Sequence, residues 1–74
     1  MKSIRQTLGS RIREERKRLG LSQEDLASSA GLDRTYVGGV ERAERNPSLE
    51  SIAALANALG VSIATLFTES RLKQ

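Results

Sequence analysis

Arg34 and Thr35 are the two side chains of this sequence whose types and position are best suited to recognising another molecule. They open the segment RTYVGGVER directly after Asp33, which can cap a helix that starts at Arg34. Arginine can form two hydrogen bonds to a guanine, and threonine offers a hydroxyl and a methyl group to base edges. The helix dipole disfavours a cation at a helix N-terminus, so an exposed arginine without a partner is the weaker alternative. We therefore expect both residues to contact bases of double-stranded DNA.

Two consecutive glycines follow one helical turn later. Gly38 and Gly39 each cost about 1 kcal/mol relative to alanine inside a helix. Position 38 lies on the same face as positions 34 and 35, and a missing side chain there lets a surface approach the backbone closely. We expect both glycines on the base-contacting face. Gly39 could instead ease helix packing, and the alternative for the pair is a helix of low propensity that tertiary contacts tolerate.

Candidates for contacts to the DNA backbone, or to the flanks of the groove, surround this helix. Gln23 is the first residue of the preceding predicted helix, where its amide and the free backbone N–H groups can bind a phosphate. Tyr36 can offer its hydroxyl to a phosphate or only pack in the core, and the sequence leaves both open. Arg45 is preferred among the polar residues at the far end because it lies beyond the helix; these residues are Arg42, Arg45 and Asn46.

We expect Glu41 to have a structural role rather than to contact DNA. It follows Val40 near the inner side of the same helix, so we expect its carboxylate to be partly buried. A buried carboxylate needs a cation to compensate its charge. Arg16, in the first helix, is the predicted partner.

Apolar spacing and capping residues predict an all-α fold, a bundle of five helices. A short turn of Gly31, Leu32 and Asp33 makes the second and third helices cross steeply, as in a helix-turn-helix. Pro47 prevents the third helix from continuing. The predicted helices are about Ile4–Leu19, Gln23–Ala30, Arg34–Ala43 and Leu49–Leu59, with a fifth that starts after Ser62 and contains Ile63, Leu66 and Phe67.

The core is predicted from apolar residues that recur on one face of each helix. In the helix-turn-helix these are Leu26, Ala27, Ala30, Val37 and Val40. The outer helices contribute Ile4, Leu8, Ile12, Leu19, Leu49, Ile52, Ala53, Leu55, Ala56 and Leu59. Together they predict one domain over residues 1–74, with a core from about residue 4 to residue 68.

Charge is distributed unevenly along the chain. The sequence has 12 basic and 9 acidic side chains, and residues 1–45 hold ten of the basic and seven of the acidic ones. The excess of positive charge therefore lies in the half with the helix-turn-helix, which favours a polyanionic partner. The run RIREERKR in the first helix is more typical of a solvated face with internal ion pairs than of a nucleic-acid-binding arm.

Composition argues against several other functions. The chain has no cysteine and no histidine, which removes disulfides, the usual metal ligands and the usual general base. We therefore expect no enzymatic activity, no metal or cofactor and no small-molecule ligand. No apolar run approaches the roughly 18 residues that span a bilayer, and the first residues are too polar for a signal peptide. We expect a cytoplasmic protein that does not bind membranes.

Four segments resemble the Cro/repressor-type (Xre-like) helix-turn-helix domains. They are GLSQEDLA from residue 20, AGLDRTYVGGVER from residue 30, RNPSL from residue 45 and ALGVS from residue 58. The similarity covers about residues 8–67. The combination of LDRTY with ERAERN most resembles the controller proteins of restriction–modification systems, which are small stand-alone domains.

This resemblance implies a five-helix fold and assigns the same residues to DNA as the side-chain chemistry does. It implies phosphate contact at Gln23, base contact at Arg34 and Thr35, and an arginine at Arg45 that reaches DNA. It also implies the Arg16–Glu41 pair. Dimerisation is implied through the fifth helix, at Ile63, Thr65, Leu66 and Phe67. Ala43 departs from the family, because many relatives have glycine there, so we expect a less sharply terminated third helix.

The function expected from these observations is sequence-specific transcriptional regulation. A homodimer would bind a palindromic operator with the third helix in the major groove and would act as a repressor, an activator or both, with restriction–modification genes as candidate targets. The alternative is an antitoxin-type, phage or plasmid regulator whose main partner is another protein. The short segment after Phe67 argues against a separate toxin-binding tail.

Overall fold

The computed structural model describes residues 2–69, which form five helices and no strand. The helices are α1 (Ile4–Arg18), α2 (Gln23–Ala30), α3 (Arg34–Glu41), α4 (Leu49–Leu59) and α5 (Ile63–Leu66). The predicted all-α fold is confirmed. None of these helices is both long and apolar enough to cross a bilayer.

Each helix begins where a serine or aspartate side chain accepts a hydrogen bond from a backbone N–H of the first turn. In α1 and α2 the third helical residue, Gln6 or Asp25, accepts a bond from the capping residue's N–H in return. These caps place the helix starts where the sequence predicts them. The capping residues are Ser3, Ser22, Asp33, Ser48 and Ser62.

The end of α3 differs from the prediction. Its last residue is Glu41 rather than Ala43, because Ala43 adopts a left-handed conformation with φ of 64°. The Ala43 N–H donates to the Val40 carbonyl at 3.0 Å, and the Glu44 N–H donates to the Gly39 carbonyl at 2.8 Å. This pair of bonds is the usual glycine-dependent helix stop, formed here with alanine. The expectation of a less sharp end was therefore wrong, since α3 stops sharply with a strained residue.

The core lies between α2 and its neighbours α3 and α4, with α1 packed against α3 and α5. Most predicted core residues are buried, including all the apolar residues of α3. Four predictions on helix ends or edges were wrong. Ile4 and Leu49 are both 70% exposed because each is the first residue of its helix and projects beyond the core, and Leu19 follows the last turn of α1 and is 43% exposed. Ala53 also lies on the exposed side of α4.

Gly9 brings α1 close to the end of α3. A β-carbon at this buried position would lie 2.6 Å from the carbonyl oxygens of both Val40 and Glu41. No side chain fits against backbone at that distance, so α1 can pack there only with glycine. The sequence offers no periodicity signal for this contact, because it depends on how two distant helices meet.

We predict that Gly9→Ala lowers the free energy of unfolding by about 1–3 kcal/mol through overpacking, although alanine is the better helix former. Urea denaturation followed by circular dichroism measures the change. The neighbouring, half-buried Ser10 provides a control, since Ser10→Ala removes only an exposed hydrogen bond from Lys2. A Gly9→Ala protein as stable as wild type would show that the α1–α3 contact is looser than the structure describes.

Ala43→Gly should have the opposite effect. A left-handed conformation costs residues other than glycine about 1–2 kcal/mol, and glycine removes that cost. Part of the gain is offset because glycine raises the conformational entropy of the unfolded chain. We expect the free energy of unfolding to rise by about 0.5–1 kcal/mol. The same substitution at exposed Ala53, within α4, should instead lower it by about 1 kcal/mol. Equal effects at the two positions would contradict the assigned strain.

Candidate nucleic-acid interface

The turn between α2 and α3 sets the position of Arg34 and Thr35. Gly31 is left-handed, and the N–H of half-buried Leu32 donates to the Ala27 carbonyl at 2.8 Å, which returns the chain to the core. The Asp33 carboxylate then accepts from the Thr35 and Tyr36 N–H groups at 2.9 and 3.3 Å.

Because Val37 and Val40 are buried on the inner side of α3, Arg34 and Thr35 lie exposed on its first turn. Within residues 2–69, Arg34 forms no ion pair. Its guanidinium is therefore available to an external acceptor, as recognition of a base requires.

The sequence predicts that the glycine pair lies on an open surface, but in the structure both glycines are covered. Gly38 and Gly39 are buried beneath polar side chains. A β-carbon on Gly38 would lie 3.1 Å from Arg42 Nη1 and 3.2 Å from Gln23 Oε1, and one on Gly39 would lie 2.6 Å from Arg45 Cγ. We call these two glycines, with the side chains of Gln23, Arg42 and Arg45 over them, the covered glycine face. Its cover consists of long side chains that can change rotamer.

Arg45 lies over the ring of Tyr36 as well as over Gly39. Its guanidinium carbon is 6.0 Å from the ring centroid, the outer limit of a cation–π contact. The Tyr36 ring is half-buried and packs against the core, so the packing alternative describes the free chain. Arg42 forms an exposed pair with Glu44 at 3.1 Å, which is worth little in water. Asn46 is exposed in the following loop.

The structure brings Arg16 and Glu41 together. Arg16 donates from Nε to Glu41 Oε2 at 2.7 Å and from Nη2 to Oε1 at 3.0 Å, a two-point contact between α1 and the last residue of α3. The Glu41 side chain is only 3% exposed. Arg16 Nη1 also donates to the Leu21 carbonyl at 2.9 Å, and Gln23 Nε2 donates to Glu41 Oε1 at 3.1 Å. The carboxylate thus has two partners from separate helices.

The Glu41 carboxylate raises the pKa of Arg16 above its ordinary value, mainly through the hydrogen bonds and against the cost of burial. A raised pKa means that this stabilisation is complete below the unfolded value and is lost only as pH rises through the still higher folded value. Arg16 therefore remains protonated, and its contribution to stability is present, at every pH at which the chain would be studied.

We predict that Glu41→Met lowers the free energy of unfolding by about 3–5 kcal/mol, because it leaves the Arg16 cation buried without a counterion. The double variant Arg16→Met/Glu41→Met should recover most of that loss, since it removes both charges. Denaturation at several values between roughly pH 6 and pH 9 should give the same coupling energy, because the raised pKa of Arg16 keeps its guanidinium protonated throughout. Losses that simply add in the double variant would show that the two side chains do not interact.

Two other cations of α1 are engaged within that helix. Arg11 pairs with Glu14 and Glu15, and Arg18 pairs with Glu15 at 2.7 Å. These contacts fit the solvated-face interpretation of RIREERKR. Arg11 also donates from Nε to the Thr65 carbonyl at 3.3 Å, a link between α1 and α5 that sequence reasoning missed because it ends on a backbone oxygen.

The α5 residues that the resemblance assigns to a dimer interface divide into two groups. Ile63 and Phe67 are 37% and 36% exposed, so their apolar surfaces face outward. Leu66 is 0% exposed and packs in the core of its own chain, so it offers little side-chain surface to a second copy. Half-buried Thr65 shares hydrogen bonds with the capping Ser62 at the start of α5.

Comparison with known proteins gives the family. A helix-turn-helix family model matches residues 12–66, the part of the chain that contains α2, the turn and α3. The chain belongs to the helix-turn-helix family. The Xre-like resemblance is confirmed, and the family is one of DNA-binding transcriptional regulators rather than enzymes.

Several relatives are similar over nearly the whole chain. The control protein C.SmaI of Serratia marcescens is 46% identical over 70 residues, covering 95% of this chain and 83% of its own. The immunity repressor protein of Bacillus phage phi105 is 41% identical over 66 residues, covering 89% of this chain but only 46% of its own. The crystal structure of the restriction-modification controller protein C.AhdI from Aeromonas hydrophila is 54% identical, with a TM-score of 0.83, and the match covers 85% of this chain and 96% of that one.

Proposed function

We propose that two copies of this chain bind a palindromic operator as a homodimer and thereby regulate restriction–modification genes. The observation that carries the proposal is the exposed first turn of α3, where Arg34 has no ion pair within residues 2–69 and lies beside the covered glycine face. A major groove admits a helix presented in this way, so that the first-turn side chains reach base edges.

On binding, the covered glycine face is opened. Arg42 and Arg45 swing from over Gly38 and Gly39 toward the phosphates that flank the groove. The two arginines lose little stabilisation when they move. The exposed pair of Arg42 with Glu44 and the distant contact of Arg45 with the Tyr36 ring are both weak. The bare backbone of the glycines then lets α3 approach the bases closely. Gln23, at the start of α2, contacts a phosphate with its amide.

A dimer follows from the small size of one recognition helix. A single α3 of eight residues supplies few base contacts, and two-fold pairing doubles them and fixes half-sites about one helical turn apart. Ile63 and Phe67, exposed on and directly after α5, are the apolar residues we assign to the interface. Similarity to controller proteins over almost the whole chain supports the restriction–modification role.

A second candidate, regulation of phage genes, is favoured by the similarity to a phage immunity repressor. Both candidates use the same DNA-binding face, and they differ in the genes beside the operator. Locating the bound sites in the host genome separates them: sites upstream of restriction–modification genes support the first candidate, and sites within prophage genes support the second. An antitoxin-type role would instead yield a stoichiometric protein partner in a pull-down from the host.

Two experiments test the proposal. The purified chain selects duplexes from a random pool, and the affinity of an Arg34→Ala variant for the selected site is then measured. The selected site should be an inverted repeat. Each bidentate arginine contact contributes about 1–3 kcal/mol, so Arg34→Ala should weaken operator binding by at least about tenfold and relax specificity at one base pair in each half-site.

The matched control for this test is Arg13→Ala, which removes an exposed arginine of α1 that forms no ion pair within residues 2–69. It changes the net charge equally and should weaken binding less, without altering specificity. Operator binding by Arg34→Ala as tight as that of wild type would refute the recognition role of α3.

A further inference from the structure

The amide of Gln23 lies between Glu41 and the backbone of Gly38. Its Nε2 donates to Glu41 Oε1 at 3.1 Å, and its Oε1 lies 3.2 Å from the point that a β-carbon on Gly38 would occupy. A carboxylate can only accept hydrogen bonds, so the nitrogen end of the amide has to face Glu41. This contact therefore decides which way the amide is turned.

Glu41 is itself fixed and electrically neutralised. Arg16 binds both of its oxygens, and the same arginine donates to the carbonyl of Leu21, one residue before the Ser22 cap of α2. The side chain of Glu41 is almost fully buried, which restricts it to this arrangement. A carboxylate this close to a bound phosphate would repel it, and the Arg16 cation removes that repulsion.

We propose that Glu41, held by Arg16, is a positioning residue for DNA binding, because it orients the Gln23 amide toward a phosphate. One N–H of the amide is engaged by Glu41, and the second has no partner within residues 2–69. That second N–H donates to a phosphate oxygen of the operator. Without Glu41 the amide can turn over and present its carbonyl oxygen, which a phosphate repels. The inference rests on the proposed DNA-binding function.

A merely structural ion pair makes a different prediction from a positioning one. If the pair only stabilises the fold, its removal and the removal of Gln23 act on DNA binding independently, and their effects add. If the pair acts through Gln23, its removal costs affinity only while Gln23 is present. A thermodynamic cycle on operator affinity separates the two.

The cycle uses Gln23→Ala, the double variant Arg16→Met/Glu41→Met, which removes both charges and the acceptor oxygens of Glu41, and the triple variant that combines them. Affinity for the selected duplex is measured at one salt concentration and at a temperature at which circular dichroism shows every variant folded. We expect Gln23→Ala and the double variant each to bind about tenfold more weakly, as for loss of a hydrogen bond to a charged group. The triple variant should bind no more weakly than Gln23→Ala, and additive losses would overturn the inference.

Ile52→Val is the matched control for lost stability. It removes one methylene from the core of α4 and leaves the Arg16, Glu41 and Gln23 contacts intact. It should lower the free energy of unfolding without weakening operator binding. A loss of affinity in this variant as large as that in the double variant would attribute the effect to stability and overturn the inference.

A measurement on the wild-type chain covers the case in which the double variant does not fold. Nuclear relaxation of side-chain NH2 groups should show the Gln23 amide to be rigid, and that of Asn57, exposed on α4, to be mobile. Equal mobility of the two amides would overturn the inference without any variant.

Failure of this inference can be told apart from failure of the proposed function. If Arg34→Ala abolishes specific binding while Gln23→Ala binds as wild type does, the operator complex stands and the positioning role is overturned. If Arg34→Ala has no effect, the recognition role of α3 fails whatever the Gln23 amide does.

Discussion

The buried carboxylate of Glu41 is the constraint on which the arrangement of this protein depends. It belongs to the last residue of α3, and the two-point contact from Arg16 compensates the burial of its charge. That contact fixes the end of α3 against α1, and the hydrogen bond from Gln23 fixes the start of α2 against the same group. The start of α2 and the end of α3 are thereby held by contacts that lie outside the turn between them. These contacts fix the direction in which α3 presents its first turn.

The close meeting of α1 and α3 has local consequences at two further residues. Glycine at position 9 lowers the helix propensity of α1, but it allows the last carbonyls of α3 to lie against α1. Ala43 accepts a left-handed conformation so that α3 can stop directly after Glu41, which directs the chain back over the helix. Arg45 consequently lies above Gly39 and beside the Tyr36 ring. The surface that we assign to DNA is therefore built by how α3 ends as much as by how it begins.

Local signals in the sequence predicted most of the fold. Caps such as Ser22 and Asp33 fix helix starts through bonds within one turn, and apolar periodicity fixes the buried faces, so both could be read residue by residue. The end of α3 could not, because alanine disfavours the left-handed conformation that Ala43 adopts. Burial of Gly38 and of Leu66 also depends on which distant side chains cover them, and no spacing rule reports that.

Amide spectra of the glycines offer the most direct test of where DNA binds. Glycine signals are few in this chain and report from several separate places, including Gly38 and Gly39 on α3 and Gly60 between α4 and α5. On titration with the selected duplex, we predict large shifts at Gly38 and Gly39 and small shifts at Gly60. Large shifts at Gly60 with unchanged signals from Gly38 and Gly39 would place the DNA on another face and contradict the account.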